Sequence, residues 1–295
     1  MNPFLSEFKN YLANKKKIAD NTVSAYLNDL MHFEAYLETT YGKNLMGATK
    51  SMILTYMLDM QKQSKNAATV SRNLSSIKSF YHFHVDKGSL VKNPAVSIQG
   101  PKVEKKVPVF LSVEEVEKLL NLPDLETVKG IRDKAMLELM YATGIKVSEL
   151  LNLKVEDYHK TMETILVQKI GNERMIPLGK WSKRYLDDYL EMGRPKIRKD
   201  QDNESFMFLN LSGKQMSRQG FWKLMRHYAQ SGGIKKKLTP QIIRNSFVIH
   251  LMQNGADMAT LQSLFGQSNI TAMHMYLKTL ENRTFEIYRK SHPRA

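Results

Sequence analysis

Four short stretches gather the side chains best suited to work on a charged substrate: ATGIKVSELLNL (142–153), QKIGNERMIPL (168–178), LTPQIIRNSF (238–247) and LFGQSNITAMHMYLKT (264–279). They supply two ammonium groups (Lys146 and Lys169), one guanidinium (Arg244), two amides (Gln241 and Gln267) and a phenol (Tyr276). Such donors suit an oxyanion. The planar fork of an arginine holds two phosphate oxygens at once, a lysine makes a single-point contact, and an amide donates a hydrogen bond but cannot exchange a proton near neutral pH. A phenol, with an ordinary pKa of about 10, acts as a nucleophile only if it loses its proton as it attacks. Taken singly, each residue has a plainer reading. Tyr276 is one of thirteen tyrosines and fits a buried helix-face aromatic, while Lys169 fits a solvated hairpin lysine. Arg244, behind Thr239 as N-cap and Pro240 at the first helical position, fits a surface helix arginine.

Composition narrows the chemistry. The chain holds no cysteine, which excludes disulfides, thiolate zinc sites and a thiol nucleophile, and suits a reducing compartment. Forty-four Lys and Arg against twenty-nine Asp and Glu leave a net charge of +15, the footprint of a polyanion binder, with nucleic acid ahead of a membrane surface. The excess is +5 over residues 1–100 and +10 over the remainder, so both parts of the chain are expected to share one anionic partner. No apolar run is long enough to span a membrane and the start MNPFLSEFKNYL lacks a leader pattern, which points to the cytoplasm. His82 and His84 flank Phe83 without a carboxylate at ligand spacing, a poor metal site, and are expected on the bundle surface or on a DNA face. His250 is expected to be a satisfied structural residue, and His274, two residues before Tyr276, would face away from it on a helix.

The elements that must position these groups are mostly helical. Phe4 to Leu12 and Val23 to Leu37 carry helical stripes, with Asn21 and Thr22 as caps for the second. Ile53, Leu54, Met57 and Leu58 suggest a third helix, and Val70, Leu74, Ile77 and Tyr81 a fourth. Residues 93–111, NPAVSIQGPKVEKKVPVFL, have three prolines, several lysines and no helical period, as an extended basic linker would. Ser112 with Glu115 then forms a capping box, and the following helical pattern runs to Gly144 as a left-handed terminator. ETILVQK and ERMIPL alternate as a hairpin, and further helices are predicted over 182–192, 217–230, 240–254 and 258–265. The fold class is mainly α with a small β-hairpin (α+β), divided into a helical domain (1–92), a basic linker (93–111) and a second domain (112–295).

In this order and spacing, the four stretches resemble the tyrosine recombinase (phage integrase) family, closest in outline to its Xer-like members. NTVSAYLNDLMHFEAYL and SRNLSSIKSFYHFHVDKGSLVKNPA likewise look like that family's core-binding domain, so the likeness covers nearly the whole chain. The resemblance implies site-specific cutting and rejoining of double-stranded DNA through a 3′-phosphotyrosyl link, with neither cofactor nor metal because the bond energy stays in that link. It places Tyr276 as nucleophile, Arg244 as the arginine of the H-x-x-R motif, and Lys169 as the hairpin lysine that protonates the departing 5′-oxygen. Three positions depart: Lys146 stands where the family has its first arginine, and Gln241 and Gln267 where it has histidines. Each replacement still donates to phosphate, so binding is expected to survive better than turnover. The resemblance also implies a homo- or hetero-tetramer on two DNA sites, associated with the nucleoid. It leaves two readings: a recombinase, or a weakened or inactive DNA-binding relative acting as a partner or architectural subunit.

Overall fold

A computed structural model describes residues 2–15, 18, 20–103, 108–168, 173–198, 205–265 and 276. The chain divides into two compact units, Met1–Lys105 and Lys106–Ala295. It is mainly α with one small antiparallel sheet.

In the first unit, α1 (Pro3–Asn10) opens with Asn2 accepting from the backbone of Phe4 and with Pro3 in the first turn, a favourable start because proline has no N–H to leave orphaned. It is followed by α2 (Asp20–Tyr41), α3 (Lys50–Lys62) and α4 (Ala67–Asp86). Helix α2 begins at Asp20, so Asn21 and Thr22 lie in its first turn and are not its caps. Helix α3 buries Ile53, Tyr56, Met57 and Met60, while Leu54 and Leu58 are 40% and 57% exposed. The reason is the helical period: 53, 56, 57 and 60 share one stripe, and 54 and 58 fall beside it. One buried carboxylate ties α2 to α4. Asp29 accepts from Arg72 Nε and Nη2 (3.0 and 2.7 Å), Asn73 Nδ2 (3.1 Å) and Ser76 Oγ (2.9 Å), so its removal from water is compensated.

The two histidines of α4 part company. His82 is exposed and faces Asp86 at 3.5 Å, whereas His84 is fully buried, its ring against Phe4, Phe80 and Phe83 and neither ring nitrogen hydrogen-bonded among the described residues. The expectation of a surface or DNA-facing His84 is therefore corrected: it continues the core stripe of Ile77, Phe80 and Tyr81.

In the second unit, α5 (Val113–Leu120) carries the expected Ser112–Glu115 capping box. Helix α6 (Val128–Thr143) is buried on nearly every side and is the unit's central rod. Its charged residues are paired among themselves, Arg132 with Asp133 and Lys134 with Glu138. It ends at Gly144 in the left-handed conformation (φ 56°), leading into α7 (Val147–Asn152). Strands β2 (Thr164–Val167) and β3 (Arg174–Pro177) form the predicted hairpin, with Val167 opposite Arg174. A two-residue strand, β1 (Tyr158–His159), joins β2 as well; it is too short to show an alternation in the sequence. Helix α8 (Lys180–Asp188) continues through a π-helical turn at Tyr189–Gly193 into α9 (Arg194–Ile197). Then come α10 (Arg218–Ser231), α11 (Pro240–Gln253) and α12 (Met258–Phe265). Of residues 93–111, Ala95 and Ile98 are buried in the first unit's core and Leu111 in the second's. No described helix is long and apolar enough to cross a membrane.

Burial holds the His84 imidazole below its usual range, with the nearby Lys87 charge adding a little and Glu7 opposing. The unfolded chain takes up this proton near pH 6.5, while the folded chain resists it, so the contribution of His84 to stability is present above that pH and is lost as the pH falls. The urea midpoint of the full chain should drop from about pH 7.5 to about pH 5.5, and His84→Leu should shrink that drop; an identical pH slope in the variant would contradict this assignment.

Candidate active site

The turn after α6 sets the first part of the site. Because Gly144 takes a left-handed conformation, the chain reverses within two residues and Lys146 becomes the N-cap of α7. Its backbone N–H donates to Glu149 Oε2 (3.0 Å), and Glu149 also receives Arg174 Nη2 (2.7 Å) and Nη1 (3.3 Å) from β3. Arg174 Nε donates in addition to the carbonyl of Leu264 in α12 (2.9 Å). Burial by itself would raise the Glu149 carboxyl, but the bonds from Arg174 and Lys146 outweigh it and hold the group below its usual range.

The second part comes from α11. Thr239 caps it as expected and Pro240 occupies its first turn. Gln241, Arg244 and Asn245 then share a face, at the i, i+3 and i+4 positions. Arg244 is buried, contrary to the plainer surface reading, with its guanidinium 4.1 Å from the centre of the Phe265 ring. Its Nη1 donates to the carbonyl of Gly144, whereas its buried Nη2 has no partner among the described residues. Burial pulls the Arg244 pKa down to about 10, with Glu149 and Tyr276 opposing the shift and Arg174 adding to it. The group stays cationic at neutral pH.

Lys146, Gln241 and Arg244 meet at one cavity of about 470 Å³, whose lining also includes Arg218 and Trp222 of α10, Thr239 and Pro240. Tyr276 is not among its lining residues. Tyr276 is 6% exposed and belongs to a buried apolar cluster with Phe247, Val248, Ile249, Leu261 and Phe265. Its hydroxyl donates to Asn245 Oδ1 (2.7 Å), which also accepts from Gln241 Nε2 (2.8 Å), while Asn245 Nδ2 donates to the carbonyl of Val109 (2.8 Å). Burial raises the Tyr276 pKa above its ordinary value, and the Arg244 charge and a hydrogen bond from Gln241 oppose that rise.

Of the sequence-predicted residues, the structure brings Lys146, Gln241 and Arg244 to one cavity and links Tyr276 to them through Asn245. Lys169, Gln267 and His274 lie outside the described residues. His250 is buried, with the hydroxyl of Tyr141 2.8 Å from its Nδ1, as expected of a structural histidine. Asn245, which the sequence does not single out, holds the phenol; its position one turn beyond Gln241 is the available signal. Arg174, Arg218 and Trp222 were also missed. The last two stand at i and i+4 on α10, a spacing that puts them on one face, but only the packing of α10 beside α7 brings that face to the cavity.

The phage integrase family model matches residues 109–283, and the model of its N-terminal SAM-like domain matches residues 5–88. The chain belongs to the phage integrase family. It is 38% identical over 301 residues to the tyrosine recombinase XerD of Listeria innocua, covering all of both chains. It is also 38% identical over 299 residues to the tyrosine recombinase XerD of Staphylococcus epidermidis, again over the full length of both. The fold matches that of the XerH site-specific recombinase bound to palindromic difH substrate in a post-cleavage complex, with a TM-score of 0.75, 17% identity and coverage of 96% of this chain and 83% of that one.

The left-handed turn is the most confined point of the site. A Cβ on Gly144 would lie 2.5 Å from Phe247 Cδ1 and 2.7 Å from Phe265 Cζ, at a φ that side chains rarely adopt. Gly144→Ala should therefore cost more than about 1 kcal/mol, through backbone strain and displacement of the ring under Arg244. An unchanged melting temperature would refute the close packing.

Proposed function

We propose that Tyr276, Arg244, Lys146, Gln241, Lys169 and Gln267 together carry out the cutting and rejoining of DNA in this chain, a tyrosine-type site-specific recombinase. The observation that carries this assignment is the cavity on which cations from two distant motifs converge, together with the unpaired, buried Nη2 of Arg244. An anion is the natural partner for such a donor, and in a site this dry its attraction is stronger than in water.

In this reading a backbone phosphate enters the cavity, where Arg244, Lys146 and the Gln241 amide donate to its non-bridging oxygens. The Tyr276 phenol gives up its proton to solvent and exchanges Asn245 for the phosphorus, forming the 3′-phosphotyrosyl bond as the bond to the 5′-oxygen breaks and Lys169 protonates that oxygen. Gln267 supplies a further donor. The released 5′-hydroxyl of a partner strand reverses the step. Four copies, or copies of this chain with a related recombinase, would hold two duplex sites in the nucleoid.

Glutamine at 241 and asparagine at 245 cannot take the phenol proton near neutral pH, so among the described neighbours of Tyr276 none serves as base. Because burial keeps the phenol protonated, single-turnover cleavage should climb with pH from about 7 to 9, following the phenolate fraction. A flat profile would reveal a base that titrates lower.

The direct test is a nicked suicide substrate, read as a covalent protein–DNA adduct on a denaturing gel. The adduct should be absent from Tyr276→Phe, and Arg244→Ala should slow its formation at least about 100-fold, the cost of losing one transition-state donor. Lys146→Arg should speed it, by about tenfold, by restoring a two-point clamp. No adduct from the unaltered chain on a site it demonstrably binds would overturn the assignment.

A further inference from the structure

We infer that Arg174 is a positioning residue that sets the two cations of the phosphate cavity relative to one another. Arg174 does not line the cavity, and its side chain is only 8% exposed. All three of its described bonds leave its own strand. Two run to Glu149, whose Oε2 also receives the backbone N–H of Lys146 (3.0 Å), so the anchor of Lys146 is held from β3. The third, from Nε, runs to the carbonyl of Leu264 (2.9 Å). The next residue, Phe265, lies under the Arg244 guanidinium, with 4.1 Å from Arg244 Cζ to the ring centre.

One planar group thus braces Lys146 on one side and the ring supporting Arg244 on the other. A fork is required for this: a lysine at 174 can reach one carboxylate oxygen but cannot hold both and the Leu264 carbonyl as well. The consequence is mechanical. Lys146 and Arg244 come from segments about a hundred residues apart in sequence, and a shift of their spacing by a fraction of an ångström weakens a transition state that both must touch.

The inference rests on the reading of Lys146 and Arg244 as ligands of the scissile phosphate, and the test separates the two. Single-turnover cleavage is measured on two suicide substrates, one with an ordinary scissile phosphate and one with a methylphosphonate there, which has lost the negative charge that the cations neutralise. Four variants are compared with the unaltered chain: Arg174→Lys, Glu149→Gln, Lys146→Ala and Arg244→Ala. Melting temperature and affinity for target DNA are recorded for each.

Arg174→Lys should cleave the phosphate at least about tenfold more slowly with DNA affinity unchanged, and should lose little on the methylphosphonate. Glu149→Gln, which keeps the shape but removes the charge that grips Arg174, should show the same selectivity. If Lys146→Ala and Arg244→Ala lose both substrates equally, the phosphate-ligand reading fails whatever Arg174 does. If those two are selective but Arg174→Lys and Glu149→Gln lose both substrates equally, or neither, the positioning role is overturned. An equal loss accompanied by a lower melting temperature marks Arg174 as structural only.

Discussion

A guanidinium held almost out of water governs the catalytic half of this molecule. Arg244 gives up hydration for one carbonyl, that of Gly144, and one aromatic face, that of Phe265, and still has an unsatisfied donor. Left without an anion, such a group is a liability, since burial disfavours its charge and an unmade hydrogen bond in a dry site costs about 1–3 kcal/mol. The neighbouring structure is arranged around keeping it there. The left-handed turn at Gly144 presents the carbonyl, and α12 presents the ring. The Glu149–Arg174 pair ties the turn, the hairpin and α12 into one frame. Stability is thus exchanged locally for a donor left open to an anion.

Two of the substituted positions, Lys146 and Gln241, share the cavity of that donor. Lys146 retains charge at the mouth of α7, and Gln241 retains a hydrogen-bond donor one turn ahead of Arg244. What is missing is proton exchange. The described groups around the phenol are amides, and they hold it by direct bonding: Tyr276 to Asn245, Gln241 to the same oxygen, and Asn245 on to the Val109 carbonyl. This arrangement, with burial, keeps the hydroxyl protonated. The Tyr276 phenol and the cavity are neighbours through a shared amide, with the phenol outside the cavity lining.

The first unit uses its polar groups differently. Asp29 is buried, yet each of its oxygens is satisfied by α4, so the carboxylate stitches helices together and offers nothing to a ligand. The contrast with Arg244 is one of satisfaction: both groups are buried, and of the two only Arg244 keeps an unspent bond among the described residues.

Local signals were sufficient for much of this. Helix starts at Ser112 and Thr239, the stop at Gly144 and the β2–β3 hairpin follow from short-range chemistry, namely caps, a left-handed terminator and alternation, and all were legible. So were the stretches that hold Lys146, Gln241, Arg244 and Tyr276, because each is contiguous in the chain. Reading failed where three dimensions decide. Leu54 and Leu58 are apolar yet exposed, and His84 is polar yet buried, because a helix's phase against its neighbours selects the inner face. The sequence alone determined which hydrogen-bonding and charged groups the chain carries; the tertiary structure decided which are spent on one another. That division holds because hydrogen-bond partners such as Arg174 with Leu264, or Tyr276 with Asn245, are set by packing between segments with no local signature linking them.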